Sequence, residues 1–222
     1  MLISQSLIFI HYPKTGGSSV QAYLQKAVRG RFYPHDDASM SRRQKESLMH
    51  EGLQVAYQYA NRLGLNPFEI PAITCIRNPY DLMLSGYLFL KQKHGHKIAD
   101  LESNFLDYMK NLFARTPAPV MQGRASAIYG PYTAYLTVGQ QKPDNLTIAR
   151  TENLQEDVAN FLRDKVGVTP KLPMPHKNRT RHAHFSKYFG AQEERLVYDM
   201  WKNAFDNGLY ARYEGLDPDK VG

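Results

Sequence analysis

Hydrophobic and polar positions form two kinds of segment along the first 150 residues. Short continuous apolar runs, which are typical of buried strands, occur at 7–12 (LIFIHY), 72–76 (AITCI) and 145–149 (NLTIA). After each run, apolar residues recur every three or four positions, as they do on one face of a helix. Strands that alternate with helices in this order predict an α/β fold with a mainly parallel central sheet flanked by helices.

The helical periodicity is strongest where it follows a strand or a glycine turn. Helices are predicted after the glycines at 16–17, over a mostly polar stretch that ends near Leu63, from Pro79, across 101–113 and across 196–205. The last of these helices has a core face of six residues. They are Leu196, Val197, Met200, Trp201, Ala204 and Phe205.

Two local signals mark where helices begin. Asn78 followed by Pro79 is typical of an N-cap and a first helical residue. Asn153 followed three residues later by Glu156 resembles a capping box. The stretch 114–145, in contrast, contains too many prolines and glycines for a long regular element.

The size of the chain and its single cysteine limit the architecture. A chain of 222 residues is long enough for one good-sized core and short for two, so we expect one domain over residues 1–222. Cys75 excludes an intramolecular disulfide framework, and its apolar surroundings indicate a buried core position. No apolar run approaches the ~20 residues that cross a bilayer, and no signal peptide is recognisable. We therefore expect a cytoplasmic protein without a transmembrane segment.

The charge balance favours an anionic ligand or partner. The formal net charge is +7, and 22% of the residues are charged. This excess does not choose among a nucleotide, an acidic glycan, a nucleic acid and a membrane surface. No basic block stands out, so most of the charge belongs to a mildly basic surface, and we expect no nucleic-acid partner.

The segment 7–24 (LIFIHYPKTGGSSVQAYL) has the composition of an anion site between a strand and a helix. The amides and the dipole of a first helical turn attract an anion. Glycines let the backbone approach a phosphate closely, lysine adds a full charge, and hydroxyls add donors. The predicted site residues are Lys14, Thr15, Gly16, Gly17, Ser18 and Ser19. The segment is not a Walker A loop, G-x-x-x-x-G-K-[ST], because its lysine precedes both glycines.

A second group of polar residues follows the second predicted strand. Arg77 comes directly after the run 72–76, and Ser85 lies two turns into the next predicted helix. Because ligands of open α/β sheets bind beyond the carboxyl ends of the strands, we expect Arg77 on the same edge as Lys14. An arginine there binds a second phosphate bidentately, with a hydroxyl from Ser85. The alternative is a surface ion pair between Arg77 and a carboxylate such as Asp81.

Together these two segments resemble the PAPS-dependent sulfotransferases, above all their carbohydrate sulfotransferase branch. That branch shows His-x-Pro-Lys-Thr-Gly-Gly-(Ser/Thr)-Ser after a strand, which matches residues 11–19. It then shows Arg-Asn-Pro-Tyr-Asp after a second strand, with a serine on the next helix, which matches 77–81 and Ser85. Shorter similarities lie in ARTENL, MPHKNRT and AFDNGLY. The resemblance does not extend over 92–145, so it leaves the acceptor open.

The resemblance implies a three-layer P-loop-like domain that uses PAPS as co-substrate and needs no metal. It implies that the loop 14–19 holds the 5′-phosphosulfate, and that Arg77 and Ser85 hold the 3′-phosphate. It further implies that Asn178 and Arg179, in the basic loop, close over the nucleotide. Lys177, Arg179 and Arg181 could equally bind an acidic acceptor or be solvated.

Sulfuryl transfer to a hydroxyl or amine needs charge stabilisation and a base. Lys14 is the cation expected to stabilise the charge that develops on the leaving 5′-phosphate. The resemblance places the base after the first helix, where YPHDDAS contains His35, which Asp36 or Asp37 could orient. Asp36, Asp37 and His50 are alternative bases, whereas His11, on an apolar strand, is expected to be structural.

Two other classes of function remain open on sequence grounds. One is a P-loop kinase that uses ATP and magnesium; the displaced lysine and the lack of a clear metal-holding aspartate after a strand count against it. The other is a non-catalytic module that binds an anion or a glycan. The pairs His94 with His96 and His182 with His184 could suggest a metal, but neither has a third ligand nearby in sequence. We interpret them as surface residues and expect no metal site.

Overall fold

The computed structural model describes residues 1–94, 104–114, 132–177 and 183–213. Its backbone contacts divide the chain into two compact units. The first unit comprises Met1–Arg77 and Thr133–Arg179, and the second comprises Asn78–Tyr132 and Thr180–Gly222. The expectation of a single domain over residues 1–222 stays a prediction.

The first unit contains a four-stranded mixed sheet. Its strands, in both chain and spatial order, are β1 (Leu2–Ile3), β2 (Ile8–Ile10), β3 (Ala72–Ile76) and β4 (Leu146–Arg150). β1 is antiparallel to β2, whereas β2, β3 and β4 are parallel. The predicted α/β class and the mainly parallel sheet are confirmed. Every residue of β2 and β3 is buried, which explains why both strands are continuous apolar runs in the sequence.

Eight α-helices lie within the described residues. They are α1 (Gly17–Ala27), α2 (Arg42–Leu48), α3 (Leu53–Arg62), α4 (Pro79–His94), α5 (Phe105–Ala114), α6 (Thr133–Leu136), α7 (Leu154–Phe161) and α8 (Ala191–Asp206). Of these, α4, α5 and α8 belong to the second unit. None of the helices in the described ranges is both long enough and apolar enough to cross a membrane.

One predicted helix is two helices in the structure. The polar stretch that was expected to run to about Leu63 is divided into α2 and α3, and Gly52 is the N-cap of α3. A Cβ atom at Gly52 would overlap the backbone carbonyl oxygen of Ala134, so the chain passes too close to α6 for any side chain there. Gly52, which lies between the two helices, is therefore in close contact with a distant segment.

The two helix-start signals have different outcomes. Asn78 caps α4, because its Oδ1 accepts a hydrogen bond of 3.0 Å from the backbone N–H of Tyr80. The capping box at Asn153 and Glu156 is wrong, since the Asn153 side chain makes no cap hydrogen bond. The chain enters α7 through a 3₁₀ turn, Thr151–Asn153, so Asn153 is the N-cap by position but its backbone is not extended as in an ordinary cap (φ -123°, ψ +27°).

The core of the first unit fixes α1 and α7 beside the sheet. Val20 and Leu24 of α1 and Val158 of α7 are fully buried in a cluster that also contains Phe9 and Ile73 from the strands. Cys75 lies in the same cluster and is fully buried, as predicted. Burial of this apolar face holds the first turn of α1 at the carboxyl end of β2.

The described part of the second unit is helical and has an aromatic core. The ring of Tyr80 lies 5.3 to 5.6 Å from those of Phe185, Phe189 and Phe205. The carboxylate of the fully buried Glu194 accepts hydrogen bonds of 2.7 Å from the Tyr80 hydroxyl and from two nitrogens of Arg212. On the core face predicted for α8, four residues are buried and two are partly buried. The four are Val197, Trp201, Ala204 and Phe205, and the two are Leu196 and Met200.

Candidate functional site

The loop between β2 and α1 has the backbone shape of an anion cradle. Lys14 (φ +64°) and Gly16 (φ +78°) are both left-handed, and Gly16 is the N-cap of α1. The Gly16 carbonyl accepts hydrogen bonds from the amides of Ser19 (2.8 Å) and Val20 (3.2 Å). The amides of a first helical turn have no intrahelical acceptors, so those that precede Ser19 are directed out of the helix end. This arrangement favours a phosphate or sulfate group.

Of the predicted hydroxyl donors, two take part in hydrogen bonds that shape the loop. Thr15 is fully buried, and its hydroxyl donates a bond of 2.7 Å to the Tyr12 carbonyl. The Ser19 hydroxyl accepts a bond of 2.9 Å from the backbone N–H of Lys177, which joins the segment 170–177 to the loop 14–19. We call the loop 14–19 the phosphate loop, after its predicted ligand. Ser18 is half-buried at the helix start. The roles of these three residues towards a ligand stay predictions.

Arg77 and Lys14 lie together, at the ends of neighbouring strands. Arg77 directly follows β3, and its guanidinium nitrogen Nη1 donates a hydrogen bond of 3.0 Å to the Lys14 carbonyl. The parallel pairing of Ile10 with Thr74 brings the carboxyl ends of β2 and β3 to the same edge. The structure therefore brings the Arg77 guanidinium of one motif against the backbone of Lys14 in the other, beside the N-terminus of α1.

Two residues that the sequence analysis missed complete the walls of the loop. The Thr151 hydroxyl lies 3.2 Å from the Thr15 carbonyl oxygen and 2.9 Å from that of Ile76, so it connects the ends of three strands. Leu154 packs on Gly16, where an added Cβ atom would lie 2.5 Å from its Cδ2. The sequence signal for both residues is that ARTENL (149–154), which contains them, lies at the carboxyl end of a parallel strand, where ligands of such sheets bind.

An open groove of about 690 Å³ lies against α1, the start of α7 and the segment 170–176. Thr151 and Leu154 belong both to this groove and to the wall of the phosphate loop, so the two features are adjacent. The lining combines an aromatic ring, aliphatic and proline surfaces, and amide or charged groups. Its residues are Tyr23, Thr151, Glu152, Asn153, Leu154, Gln155, Glu156, Ala159, Pro170, Lys171, Leu172, Pro173 and His176.

His11, which is buried, and His50, which is partly buried, contact each other beside the phosphate loop. The rings of His11 and His50 meet edge to face at 4.5 Å, and Nδ1–H of His50 donates a bond of 3.1 Å to the His11 carbonyl. A Cβ atom at Gly17 would overlap the His11 ring, so this ring fixes the approach of the helix. Burial lowers the pKa of His11 well below its usual value of 6.5, and the neighbouring His50 lowers it further. Burial also lowers the pKa of His50.

His35, the predicted base, is on the exposed turn that follows α1. Its Nδ1 lies 2.6 Å from Oδ1 of Asp36, and its side chain is 52% exposed. Asp37 accepts hydrogen bonds from the amide and the hydroxyl of Ser39. Of the two carboxylates considered as partners for His35, the structure pairs Asp36 with it.

The remaining predicted site residues lie in the second unit or outside the described residues. Ser85 is on α4; its side chain is buried, and its hydroxyl finds no hydrogen-bond partner among the residues that the structure describes. Asn178 and Arg179 fall in the segment 178–182, which is outside those residues. Their assignment to the nucleotide stays a prediction.

The residues considered for metal binding or nucleophilic chemistry have other surroundings. Within the described ranges, no three His, Cys, Asp or Glu side chains are grouped so that they could hold a metal ion. His184 is exposed, with Nδ1 2.9 Å from the Ser186 hydroxyl, while His96 and His182 lie outside those ranges. Burial raises the pKa of the Cys75 thiol, which disfavours the reactive thiolate.

Comparisons of this chain with protein-family models, with curated proteins and with solved structures find no match. The function is therefore argued from the residues themselves. The site joins a lysine, an arginine and a helix N-terminus, and beside them lies a groove with aromatic and polar walls. Such an arrangement is suited to an anion that carries a planar or sugar-like group.

Proposed function

We propose that this protein is a PAPS-dependent sulfotransferase, which moves a sulfuryl group from PAPS to a hydroxyl or amine of a glycan or small-molecule acceptor. One observation carries the proposal: Nη1 of Arg77 lies 3.0 Å from the Lys14 carbonyl, at the ends of adjacent parallel strands. A donor with phosphates at both its 5′ and 3′ positions needs two cationic sites within the length of one nucleoside. The two motifs that resemble this enzyme family are the ones that supply these cations.

In this proposal the phosphate loop binds the phosphosulfate group. Lys14 and the first amides of α1 face the bridging oxygen and the 5′-phosphate, where negative charge grows during in-line displacement. Groups that bind this charge more strongly in the transition state than in the ground state accelerate the reaction. The loop is held before the ligand arrives by the bonds of Thr15, Ser19 and Thr151 described above. Little reorganisation is then needed during transfer.

Arg77 is assigned to the 3′-phosphate, to which a guanidinium can donate two parallel hydrogen bonds. Ser85 is assigned to the same phosphate by the second motif. The structure of the second unit supports a ligand contact for Ser85, because its hydroxyl is buried and has no hydrogen-bond partner among the described residues. A buried polar group of this kind costs stability unless a ligand or water satisfies it. Asn178 and Arg179 complete the proposed nucleotide site on the evidence of sequence alone.

The nucleoside part of the donor is assigned to the groove beside α7. Tyr23, Leu154 and the proline surfaces offer apolar contact to a planar base, and Asn153 and Gln155 offer hydrogen-bonding amides. The proposal also includes the three-layer P-loop-like architecture. Its support is that α1 and α7 share one core cluster with the sheet, while α3 contacts β2.

His35 is assigned as the general base that accepts the proton of the acceptor hydroxyl. It lies after the first helix, as the resemblance requires, and its ring is paired with a carboxylate. A base within reach of an acceptor contributes about 10²- to 10⁴-fold in rate. The acceptor itself stays open between glycans and small molecules.

A ligand-binding series separates this proposal from its alternatives. Thermal unfolding is followed during titration with 3′-phosphoadenosine 5′-phosphate and, separately, with ATP and Mg²⁺. A ligand that binds only the folded state raises the melting temperature by mass action. We expect a larger rise with the bisphosphate, and sulfate transfer from PAPS to at least one member of a panel of glycans and alcohols. A larger rise with ATP and Mg²⁺ would support a kinase instead, and bisphosphate binding without any transfer would support a binding module.

A further inference from the structure

The hydrogen-bond partner of His35 determines which of its two ring nitrogens carries a hydrogen. Its Nδ1 lies 2.6 Å from Oδ1 of Asp36, and an ionised carboxylate only accepts hydrogen bonds. Nδ1 must therefore carry the hydrogen. In the neutral ring this leaves the lone pair on Nε2, and because the side chain is 52% exposed, an acceptor molecule can approach the ring.

Asp36 is itself fixed by the core of the first unit. Its second oxygen, Oδ2, accepts a hydrogen bond of 2.8 Å from the backbone N–H of Phe32, whose side chain is buried in the core cluster. This backbone hydrogen bond and the bond from His35 hold the pKa of Asp36 below its usual value. The carboxylate therefore stays charged at neutral pH while both of its oxygens are engaged.

A lysine fixes the backbone on the other side of the ring. Nζ of Lys45 donates a hydrogen bond of 2.8 Å to the His35 carbonyl oxygen. Lys45 is on α2, whose first turn is closed by a capping box between Ser41 and Gln44. Arg31 reaches the carbonyl oxygen of Asp36 at 3.5 Å. Two cations, Lys45 and Arg31, thus contact the backbone carbonyls of the histidine–aspartate pair.

We propose that Asp36 and Lys45 are positioning residues for His35, with Asp36 selecting the Nδ1–H tautomer so that Nε2 takes the acceptor's proton. This inference rests on the proposed function. In the step, the acceptor oxygen forms a bond to sulfur, and its proton moves to Nε2. The bond from sulfur to the bridging oxygen breaks, and its electron pair leaves with the 5′-phosphate. The ring becomes a cation, which the Asp36 carboxylate stabilises at 2.6 Å.

The matched variants are Asp36→Asn and Asp37→Asn, which make the same chemical change at adjacent residues. Asparagine has one acceptor oxygen, and the Phe32 amide requires it, so the amide NH₂ would face Nδ1 of His35. We expect Asp36→Asn to shift the ring to the Nε2–H tautomer. Asp37 contacts Ser39 instead, so Asp37→Asn should leave the tautomer unchanged.

The first readout is the ¹⁵N spectrum of the His35 ring in the folded protein without ligand, at about pH 9, where a free imidazole is neutral. The second is steady-state kinetics of sulfate transfer. Asp36→Asn should lower kcat about 100-fold with little change in the KM for PAPS, because removal of the carboxylate beside a catalytic histidine misplaces its proton. Asp37→Asn should change kcat less than about 3-fold. Lys45→Gln should lower kcat by about 3- to 10-fold, since only the backbone support is lost.

The inference and the proposed function fail in different ways. A wild-type ring in the Nε2–H form, or an Asp36→Asn protein with an unchanged tautomer and unchanged kcat, overturns the positioning role even where sulfate transfer is observed. If no transfer occurs with any acceptor, the proposed function fails, and the tautomer alone decides whether Asp36 orients His35. Should Asp36→Asn not fold, the wild-type spectrum and the kinetics of Lys45→Gln still decide.

Discussion

The guanidinium group of Arg77 donates a hydrogen bond of 3.0 Å to the backbone carbonyl oxygen of Lys14. The bond joins the residue after β3 to the loop after β2, two segments that are 63 positions apart in sequence. The bond also fixes the loop at Lys14, whose backbone lies in the left-handed region with φ +64°. A single arginine thus stabilises the shape of the loop and adds to its charge.

Replacement of Arg77 should weaken nucleotide binding more than it weakens the fold. Loss of charge-assisted hydrogen bonds, each worth roughly 1.5–3 kcal/mol, is expected to raise the Kd for 3′-phosphoadenosine 5′-phosphate about 10- to 100-fold in Arg77→Ala. Isothermal titration calorimetry at fixed salt measures this change. Arg163→Ala is the control, since Arg163 is exposed and pairs with its neighbour Asp164. Equal Kd values for the two variants would contradict the assignment of Arg77.

The close contact between Gly17 and the His11 ring leads to a second prediction, on the stability of Gly17→Ala. A methyl group at Gly17 would overlap the His11 ring, and strain of this kind in a packed core costs about 1–3 kcal/mol. Gly17→Ala should lower the free energy of unfolding by that amount in urea titrations. It should also weaken nucleotide binding, because the first turn of α1 must move.

A double-mutant cycle tests the physical reason for that loss. In the His11→Ala background the ring is gone, so the further change Gly17→Ala should cost much less than it does alone. If the two changes add independently, the strain does not come from the His11 ring, and another contact limits residue 17.

The contact pair of His11 and His50 should make stability depend on pH. His11 and His50 have pKa values in the folded state below 6.5, their value without burial. The unfolded chain therefore binds protons more tightly than the folded one. The contribution of the neutral pair to the free energy of unfolding is fully present above pH 6.5. It is lost as the pH falls towards the folded-state pKa values. The slope is about 1.4 kcal/mol per pH unit for each extra proton that the unfolded state takes up.

Urea titrations between about pH 5.5 and 7.5 measure this slope above the range in which carboxylates titrate. His50→Gln should reduce the slope, whereas His184→Gln, at an exposed position of the second unit, should leave it unchanged. Identical slopes in the wild type and His50→Gln would show that the pair does not control the pH dependence.

The ion pair inside the second unit gives a fourth prediction. Glu194→Ala should destabilise this unit by about 3–5 kcal/mol, because Arg212 and the Tyr80 hydroxyl would lose a fully buried partner. Glu193→Ala is the matched control one residue earlier. Among the residues that the structure describes, its carboxylate accepts only the Gly190 amide at the start of α8, so its loss should cost about 1 kcal/mol. Near-ultraviolet circular dichroism follows the aromatic core during unfolding, and similar midpoints for both variants would contradict the role given to Glu194.

Much of the first unit could be predicted from local sequence. The five residues of β3 match the apolar run 72–76, and α1 begins at the glycine turn where the periodicity changes. In the second unit, the cap at Asn78 could also be predicted from the local sequence. These features depend on side chains within a few positions of one another, so hydrophobic periodicity and backbone preference are enough to specify them.

Other features depend on contacts that no local pattern records. Gly52, which separates α2 from α3, lies against the carbonyl of Ala134, and Asn153 makes no cap hydrogen bond after the 3₁₀ turn that precedes α7. Likewise, the Thr151 hydroxyl contacts the end of β3 because Thr151 directly follows β4, which pairs with β3. The contacts of Gly52 and of Thr151 each join residues more than 70 positions apart in sequence. The turn is local, and there the geometry of the strand end overrides the capping preference of Asn153.

The candidate site shows the same division. The sequence by itself determined the types of groups available: one lysine, two glycines and hydroxyls after a strand, an arginine after the next strand, and a histidine between two possible carboxylate partners. Only the tertiary structure decided that Arg77 lies on the Lys14 carbonyl, and that Asp36 rather than Asp37 holds His35. The reason is physical. Chemical character belongs to each residue, whereas distance and direction are set by the packing of the whole sheet and its loops.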